Sequence, residues 1–177
     1  MTQSPVIARR AADYETFRIA PEDTNRMALI ADPIRDKVPF TAIIEIFDAH
    51  GKTPPNTHQD AFELFHVLSG SGIAYCNGET FPITRGDSFV VRPGHEHVVE
   101  NPNDERLYCL TVMMPNEGFA ELIHAGVKQG LDAGDLMAIA GVQTSLEVGE
   151  RKVRHVAQQF DEAERLMLGG EAPLLGC

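Results

Sequence analysis

The chain has 177 residues, of which 43% are hydrophobic and 23% are charged, so it can bury one substantial core, and both wholesale disorder and a disulfide-dominated miniprotein are excluded. Its 15 basic and 26 acidic residues give a formal net charge of −11. That excess of negative charge would repel a phosphate backbone, which argues against nucleic acid as a partner.

The chain up to Pro115 has the pattern of an all-β domain, in which short runs of Val, Ile, Phe and Tyr are separated by Gly, Pro, Asn and Asp. The predicted strands are 16–19, 27–31, 40–47, 64–68, 73–76, 79–83, 88–91, 97–99 and 107–114. Asn77-Gly78 predicts a type I′ hairpin between two of them. Pro82 lacks a backbone donor, so it must lie at an edge, a bulge or a strand end.

Helical spacing begins after Pro115. Asn116 is predicted to cap a first helix, and Asp132 or Asp135 to start a second, short one. One face of the first helix would consist of Phe119, Leu122, Ile123 and Gly126. The second helix would present Leu136 and Ile139. A third helix is predicted over 153–167, with Gly169-Gly170 as its stop. Its apolar stripe must cover either the barrel or a partner subunit.

We therefore expect three regions along the chain. Residues 1–36 would form N-terminal strands or an arm that packs on the barrel, residues 37–115 the barrel itself, and residues 116–177 a helical C-terminal extension.

A first group of polar side chains follows the stiff Pro54-Pro55 segment. Asn56 and His58 are two residues apart, so they point to the same side of a strand. Glu63 is five residues beyond His58, and this odd step would place it on the opposite face of an unbroken strand. A turn at 59–61 must therefore intervene if the two side chains are to converge.

A second group lies between Gly86 and Asn101. The turn signals Gly86-Asp87 and Pro93-Gly94 bracket one short strand, after which His97, Val99 and Asn101 share one face of the next. A second imidazole is thereby available to join His58.

Together the two groups resemble the two sequence motifs of the cupin superfamily. His58, Glu63 and Gly70 match the spacing of the first motif, in which Asn56 replaces the first histidine. The second motif is matched by Gly86, Gly94, His97 and Asn101, with Arg92 in place of its first proline. The resemblance covers roughly residues 37–115 and implies a double-stranded jelly-roll β-barrel, here followed by C-terminal helices, and frequently a homodimer.

The resemblance also implies that His58, Glu63 and His97 are ligands of a metal inside the barrel. Two imidazoles and one carboxylate are the 2-His-1-carboxylate set, which leaves open positions on Fe(II). Fe(II) is therefore the favoured divalent ion, with Zn, Mn or Ni as alternatives. The Asn56 amide oxygen would be a weak fourth ligand or would orient a bound water or ligand.

Further residues are candidates for the wall of the substrate pocket, in addition to the metal ligands. These candidates are Phe65, Phe89, Arg92, His95 and Asn101. Phe65 and Phe89 would provide an apolar lining, or simply fill the barrel. Arg92 would meet a carboxylate substrate with its planar fork, or remain a solvated charge at a strand end. His66 alternates out of phase with Glu63 and is expected to face away from the cavity.

The leading functional hypothesis is a metal-binding cupin, of the Fe(II) dioxygenase type, that acts on a small organic substrate in the barrel. The alternatives are a noncatalytic cupin that binds or senses a small ligand, and a nonredox metal-dependent isomerase, decarboxylase or lyase.

The expected compartment is the cytoplasm, with neither a membrane nor nucleic acid as partner. Cys76, Cys109 and Cys177 form neither a disulfide framework nor a Cys-x-x-Cys pair. The first residues lack the apolar block of a secretory signal, and no stretch approaches the roughly 20 apolar residues that span a bilayer.

Overall fold

Two antiparallel sheets enclose one apolar interior in the computed structural model, which describes residues 4–141. The strands are β1 (Glu15–Arg18), β2 (Asn25–Ala31), β3 (Thr41–Phe47), β4 (Phe62–Ser69), β5 (Ser71–Cys76), β6 (Glu79–Thr84), β7 (Ser88–Val91), β8 (His97–Glu100), β9 (Leu107–Met114) and β10 (Val127–Gln129). The large sheet has the order β10-β1-β2-β3-β9-β4-β7, and the small sheet the order β6-β5-β8. This is the all-β jelly roll that the sequence predicts.

Each of the nine predicted strands is present, with ends that differ from the predicted ones by no more than two residues. Asn77 and Gly78 have φ angles of 51° and 88° and join β5 to β6, as a type I′ turn requires. Pro82 lies on β6, which is an edge strand of the small sheet, so its missing donor breaks no ladder there.

The helices are α1 (Pro33–Asp36), α2 (Phe119–His124) and α3 (Ala133–Ile139), and a 3-10 turn covers Ala11–Asp13. Asp132 caps α3 and forms a capping box with Asp135, which confirms the predicted second helix. The first helix begins later than predicted, because Gly118 is the N-cap of α2 while the Asn116 side chain accepts the Ala120 N–H at 2.8 Å.

One strand was not predicted. β10 lies in the segment expected to be helical, where Val127–Gln129 pairs with β1. Gly126 does not continue the face of α2, because its backbone lies so close to Arg18 that a Cβ would be 2.2 Å from the Arg18 carbonyl oxygen. A three-residue strand of this kind depends on its partner, which periodicity does not show. The predicted third helix and Cys177 lie outside the described residues.

Alternate residues of the large sheet point into the interior. Phe47, Phe65, Val67 and Leu107 pack there against Ala74, Ile83 and Val99 of the small sheet. A second apolar cluster includes Phe17, Leu29 and Ile43 of the large sheet and Ile123 of helix α2. The polar site described below lies on the same interior face as these clusters.

The outer face of the large sheet carries an exposed apolar strip. Phe62 and Met114 are directly paired across β4 and β9 and are 52% and 55% exposed. Leu64 pairs with Val90, itself 52% exposed, and with Val112. We call Phe62, Leu64, Val90, Val112 and Met114 the outer strip. No helix within residues 4–141 has the length and hydropathy to cross a membrane.

Candidate metal centre

Asn56 and His97 are direct neighbours across an extension of the small sheet. The segment 52–56 runs antiparallel to β8, with bridges from Lys52 to Glu100 and from Asn56 to His97. Thr53 continues the pairing, since its N–H donates to the Val99 carbonyl at 3.0 Å and its hydroxyl accepts the Val99 N–H at 3.1 Å. Opposed residues of such a pair present their side chains on the same face, so Asn56 and His97 both face the interior.

His58, Glu63 and His97 converge on one point inside the barrel. One Glu63 oxygen, Oε2, is 2.8 Å from His97 Nε2 and 3.2 Å from His58 Nε2. One ligand atom from each of the three residues lies within 4.8 Å of the others. The Glu63 and His97 side chains are buried, and that of His58 is 18% exposed. The structure thus brings together the three residues that the motifs single out.

A bend between His58 and Glu63 makes this convergence possible. The chain bends at Gln59 and Asp60 before β4 begins, in the place where the odd spacing requires a turn. The Glu117 carboxylate holds the bend from the side: it accepts the Gln59 N–H at 2.8 Å and the Ala61 N–H at 3.1 Å. Those backbone hydrogen bonds keep the pKa of Glu117 below its usual range. Sequence reasoning missed Glu117, because nothing local marks a contact over 58 residues.

The three groups stabilise one another electrostatically. Burial opposes ionisation of Glu63, but the hydrogen bonds from His58 and His97 outweigh it and lower the pKa of the carboxyl. The hydrogen bond with Glu63 in turn raises the pKa of His58 against the effect of burial. Glu63 is therefore ionised at neutral pH and ready to take a cation.

The orientation of His97 is fixed by the backbone. Its Nδ1 lies 3.3 Å from the carbonyl oxygen of His95, to which Nδ1–H can donate. Nε2 faces the Glu63 carboxylate and donates to it. With a cation bound, a proton kept on Nδ1 would leave the Nε2 lone pair for the metal, which is the tautomer that a metal ligand needs.

A cavity of about 180 Å³ opens beside the three groups. His58, Glu63, His97, Asn56 and Phe65 contribute to its wall. Helix α2 contributes Phe119 and Leu122 to the wall, and the Phe119 ring lies 6.3 Å from the His58 ring. Most of the exposed surface of this wall is apolar, and several polar side chains converge on it, which is typical of a small-molecule site.

The same wall contains a second buried carboxyl that sequence reasoning missed. Glu45 on β3 is 3% exposed and accepts the Asn25 Nδ2–H at 2.7 Å. Burial, reinforced by the charge of Glu63, raises the pKa of Glu45 to about 7. The sequence contains one signal for Glu45, since it is the single acid in the apolar run from Ile43 to Phe47. Because acids are rarely buried without a partner, an acid in such a run indicates a special role.

Of the five predicted pocket residues, Phe65 lines the cavity and the other four lie elsewhere. Phe89 stacks on the Phe65 ring at 4.8 Å and packs against the core. Arg92 is exposed, and the Nδ1 of His95 bonds the Pro93 carbonyl at 2.9 Å. Asn101 is fully buried and donates to the Asp48 and Glu105 carbonyls at 2.8 and 2.7 Å, where it fastens a loop.

The donor set fits a divalent cation. Two imidazole nitrogens and an ionised carboxylate oxygen, already close together and partly dehydrated, are the ligands that Fe(II), Zn(II) and Mn(II) accept. These three groups line the cavity, whose volume leaves space for further ligands. The protein is thus a small jelly roll that encloses a cluster of two histidines and one carboxylate.

Comparison with known proteins identifies the family of the barrel. Residues 43–113 match the model of the Cupin domain family. This match identifies residues 43–113 as a cupin domain. A curated relative, an oxalate-binding protein of Thermotoga maritima, is 32% identical over 72 residues, which are 37% of this chain and 60% of the relative. The chain thus spans less than two thirds of the length of that relative.

Solved structures agree at the level of the fold. A Thermotoga maritima protein described as a predicted oxalate decarboxylase superposes with a TM-score of 0.56 at 21% identity, over 62% of this chain and 99% of that one. An RmlC-like cupin from Shewanella frigidimarina has a TM-score of 0.56 at 18% identity, over 68% of this chain and 99% of that one.

Proposed function

We propose that this cupin is a metal-dependent enzyme of the dioxygenase type, in which His58, Glu63 and His97 hold one divalent cation, Fe(II) in preference to Zn, Mn or Ni. Its substrate is a small organic molecule bound in the cavity. The observation that carries the proposal is that three ligand atoms from two distant segments lie within 4.8 Å of one another beside that cavity.

The metal would supply coordination positions for a substrate oxygen and for O₂, and would polarise what binds there. The protein's own groups do the rest. His97 is held at Nδ1 by the His95 carbonyl, and the Nε2 atoms of His97 and His58 both face the ionised Glu63 carboxylate. Glu117 keeps the bend that brings His58 to them. Phe119 and Leu122 of α2 add apolar surface to the cavity wall, which suits an organic substrate.

A second candidate function is noncatalytic binding of a small ligand. Asn56 favours it, because an amide in place of an imidazole weakens the metal site, and the curated relative carries the name of an oxalate-binding protein. In that case the same cavity would hold its ligand without turnover.

The test begins with the metal. Protein purified without tag or chelator is analysed for its elements, as wild type, His58→Ala and His66→Ala. His66 bonds Ser88 at 2.8 Å on the exposed side of β4 and serves as the matched control. We expect metal in the wild type and in His66→Ala and loss of most of it in His58→Ala. Full metal content in His58→Ala would refute the ligand assignment.

Turnover then separates the reaction classes. Oxygen uptake with small organic substrates, absent in His58→Ala, supports a dioxygenase. Turnover without oxygen would replace it by a nonredox isomerase, decarboxylase or lyase, and tight ligand binding without turnover by a binding module.

We also propose that the chain forms a homodimer through the outer strip. A contiguous apolar surface of this kind marks protein interfaces.

The free thiols of Cys76 and Cys109 fit the cytoplasmic location that the sequence predicts.

A further inference from the structure

One polar group of the cavity wall lacks a partner. Asn25 is 1% exposed and lines the cavity, and its Nδ2 is taken up by Glu45. Its Oδ1 is buried and has no hydrogen-bond partner among residues 4–141. A buried acceptor left without a donor is destabilising, and such an atom in a cavity wall indicates where a ligand donates a hydrogen bond.

Glu45 lies beside this atom and is itself only partly satisfied. Its carboxyl accepts from Asn25 at 2.7 Å and from the Thr111 hydroxyl at a long 3.4 Å. A carboxyl group has room for more hydrogen bonds than these two. Asn25 and Glu45 together therefore present unused hydrogen-bonding capacity on one part of the wall.

The charge of the wall limits what binds there. Within residues 4–141 the cavity is lined by three acids, Asp23, Glu45 and Glu63, and by no lysine or arginine. Apart from the cation of the proposed metal centre, a dicarboxylate such as oxalate would meet three acids in this wall and no guanidinium or ammonium to offset their repulsion. An uncharged ligand meets no such repulsion.

The size of the cavity limits the ligand further. A volume of about 180 Å³ is below the roughly 300 Å³ at which pockets for drug-sized ligands begin. The occupant is therefore a molecule of few non-hydrogen atoms.

We propose that Asn25 and Glu45 form a hydroxyl-binding subsite beside the metal centre, and that the ligand is a small uncharged hydroxy-carbonyl compound. Its hydroxyl group donates to Asn25 Oδ1, while its carbonyl oxygen is directed toward His58, Glu63 and His97. The inference deepens the proposed function and rests on it for the position of the carbonyl oxygen.

The test uses a pair of probes, hydroxyacetone and methoxyacetone. In methoxyacetone a methyl group replaces the hydroxyl hydrogen, so only hydroxyacetone can donate a hydrogen bond. Their affinities for the full chain loaded with Mn(II) are measured by calorimetry for wild type, Asn25→Leu, Asn25→Ser and the exposed control Asn103→Leu. We expect the wild type and the control to prefer hydroxyacetone by about tenfold, as one hydrogen bond to a buried acceptor gives. The preference should disappear in both Asn25 variants, which guard against a folding defect in either one.

Oxalate tests the role of charge. Glu45→Gln fixes this side chain in an uncharged form with little change of shape, so at pH 8, where the wild-type carboxyl is ionised, oxalate should bind the variant several-fold more tightly than the wild type. Equal binding of the two probes by the wild type, binding of neither, a preference that survives in both Asn25 variants, or unchanged oxalate affinity in Glu45→Gln would overturn the subsite.

Metal titrations on the same proteins keep the two proposals apart. Asn25→Leu should bind Mn(II) as the wild type does. Normal metal binding without hydroxyl preference refutes the subsite alone. Absence of metal from the wild type, with a hydroxyl preference that persists in chelator-treated protein, refutes the metal centre and leaves the subsite standing.

Discussion

Asn56 and His97 exchange two backbone hydrogen bonds, from the Asn56 N–H to the His97 carbonyl at 3.1 Å and from the His97 N–H to the Asn56 carbonyl at 2.9 Å. This pairing places the Asn56 side chain next to a metal-ligand candidate on the same face of the small sheet. The side chain at position 56 should therefore affect how strongly the proposed metal centre would hold a cation.

Asn56→His should tighten metal binding. A histidine here would lie beside His97 and offer the cation a fourth ligand, its third nitrogen, and we expect an affinity at least about tenfold higher. Asn56→Ala should change the affinity far less, because three ligands remain. Competition with a metal-chelating dye measures both. An affinity unchanged in Asn56→His would show that the side chain does not reach the cation.

Glu117→Gln should weaken metal binding without unfolding the protein. The neutral amide is a poorer acceptor for the backbone N–H groups of residues 59–61, so the bend loosens and His58 is less well placed beside Glu63. We expect a loss of roughly tenfold in metal affinity, as for other groups that orient a ligand.

Glu22→Gln changes the same charge at an exposed site and is the control. A loss of the same size in both variants would indicate a general effect of charge, and no loss in Glu117→Gln would mean that the bend is stable by itself.

The metal-free protein should lose stability as the pH rises, on account of Glu45. Folding raises its pKa from 4.5 to about 7, so between these values the folded protein retains a proton that the unfolded chain has released. The free energy of unfolding therefore falls as the pH rises through this window. Because a tenfold change in proton affinity corresponds to about 1.4 kcal/mol, the loss at pH 8 is about 3 kcal/mol.

Glu45→Gln removes this loss. Urea denaturation of chelator-treated protein at pH 5 and pH 8 should show a smaller fall for Glu45→Gln than for the wild type, while Glu79→Gln, at an exposed position, should behave as the wild type. Equal falls in all three proteins would show that the Glu45 carboxyl ionises in the folded state as easily as in water.

The full chain should be a dimer that charges in the outer strip dissociate. The double variant Phe62→Lys, Val90→Lys places two ammonium groups on a surface that is apolar and about half exposed in the single chain. Light scattering should report a dimer for the wild type and a monomer for the variant. Val6→Lys, at a residue that is 67% exposed on the N-terminal segment, is the control. A monomeric wild type would remove the proposal.

The strands and the three central site residues could be predicted because their signals are local. Alternation of apolar residues and the Asn77-Gly78 turn mark β-structure over a few positions, and His58, Glu63 and His97 stand out by spacing. Four of the five predicted pocket residues lie outside the cavity wall for the opposite reason. These four are Phe89, Arg92, His95 and Asn101, which lie within a few residues of His97 along the chain. Closeness in sequence does not show which side chains border the cavity.

Strand period and motif spacing are properties of short segments, so the amino-acid sequence is enough to predict a jelly roll with two imidazoles and a carboxylate in motif positions. The contact of Glu117 with the bend, and the cavity wall that Asn25 and Glu45 share with Phe119 and Leu122, follow instead from the three-dimensional packing. These relationships join residues far apart in the chain, and they arise when the sheets pair and pack, which fixes distances that no local pattern encodes.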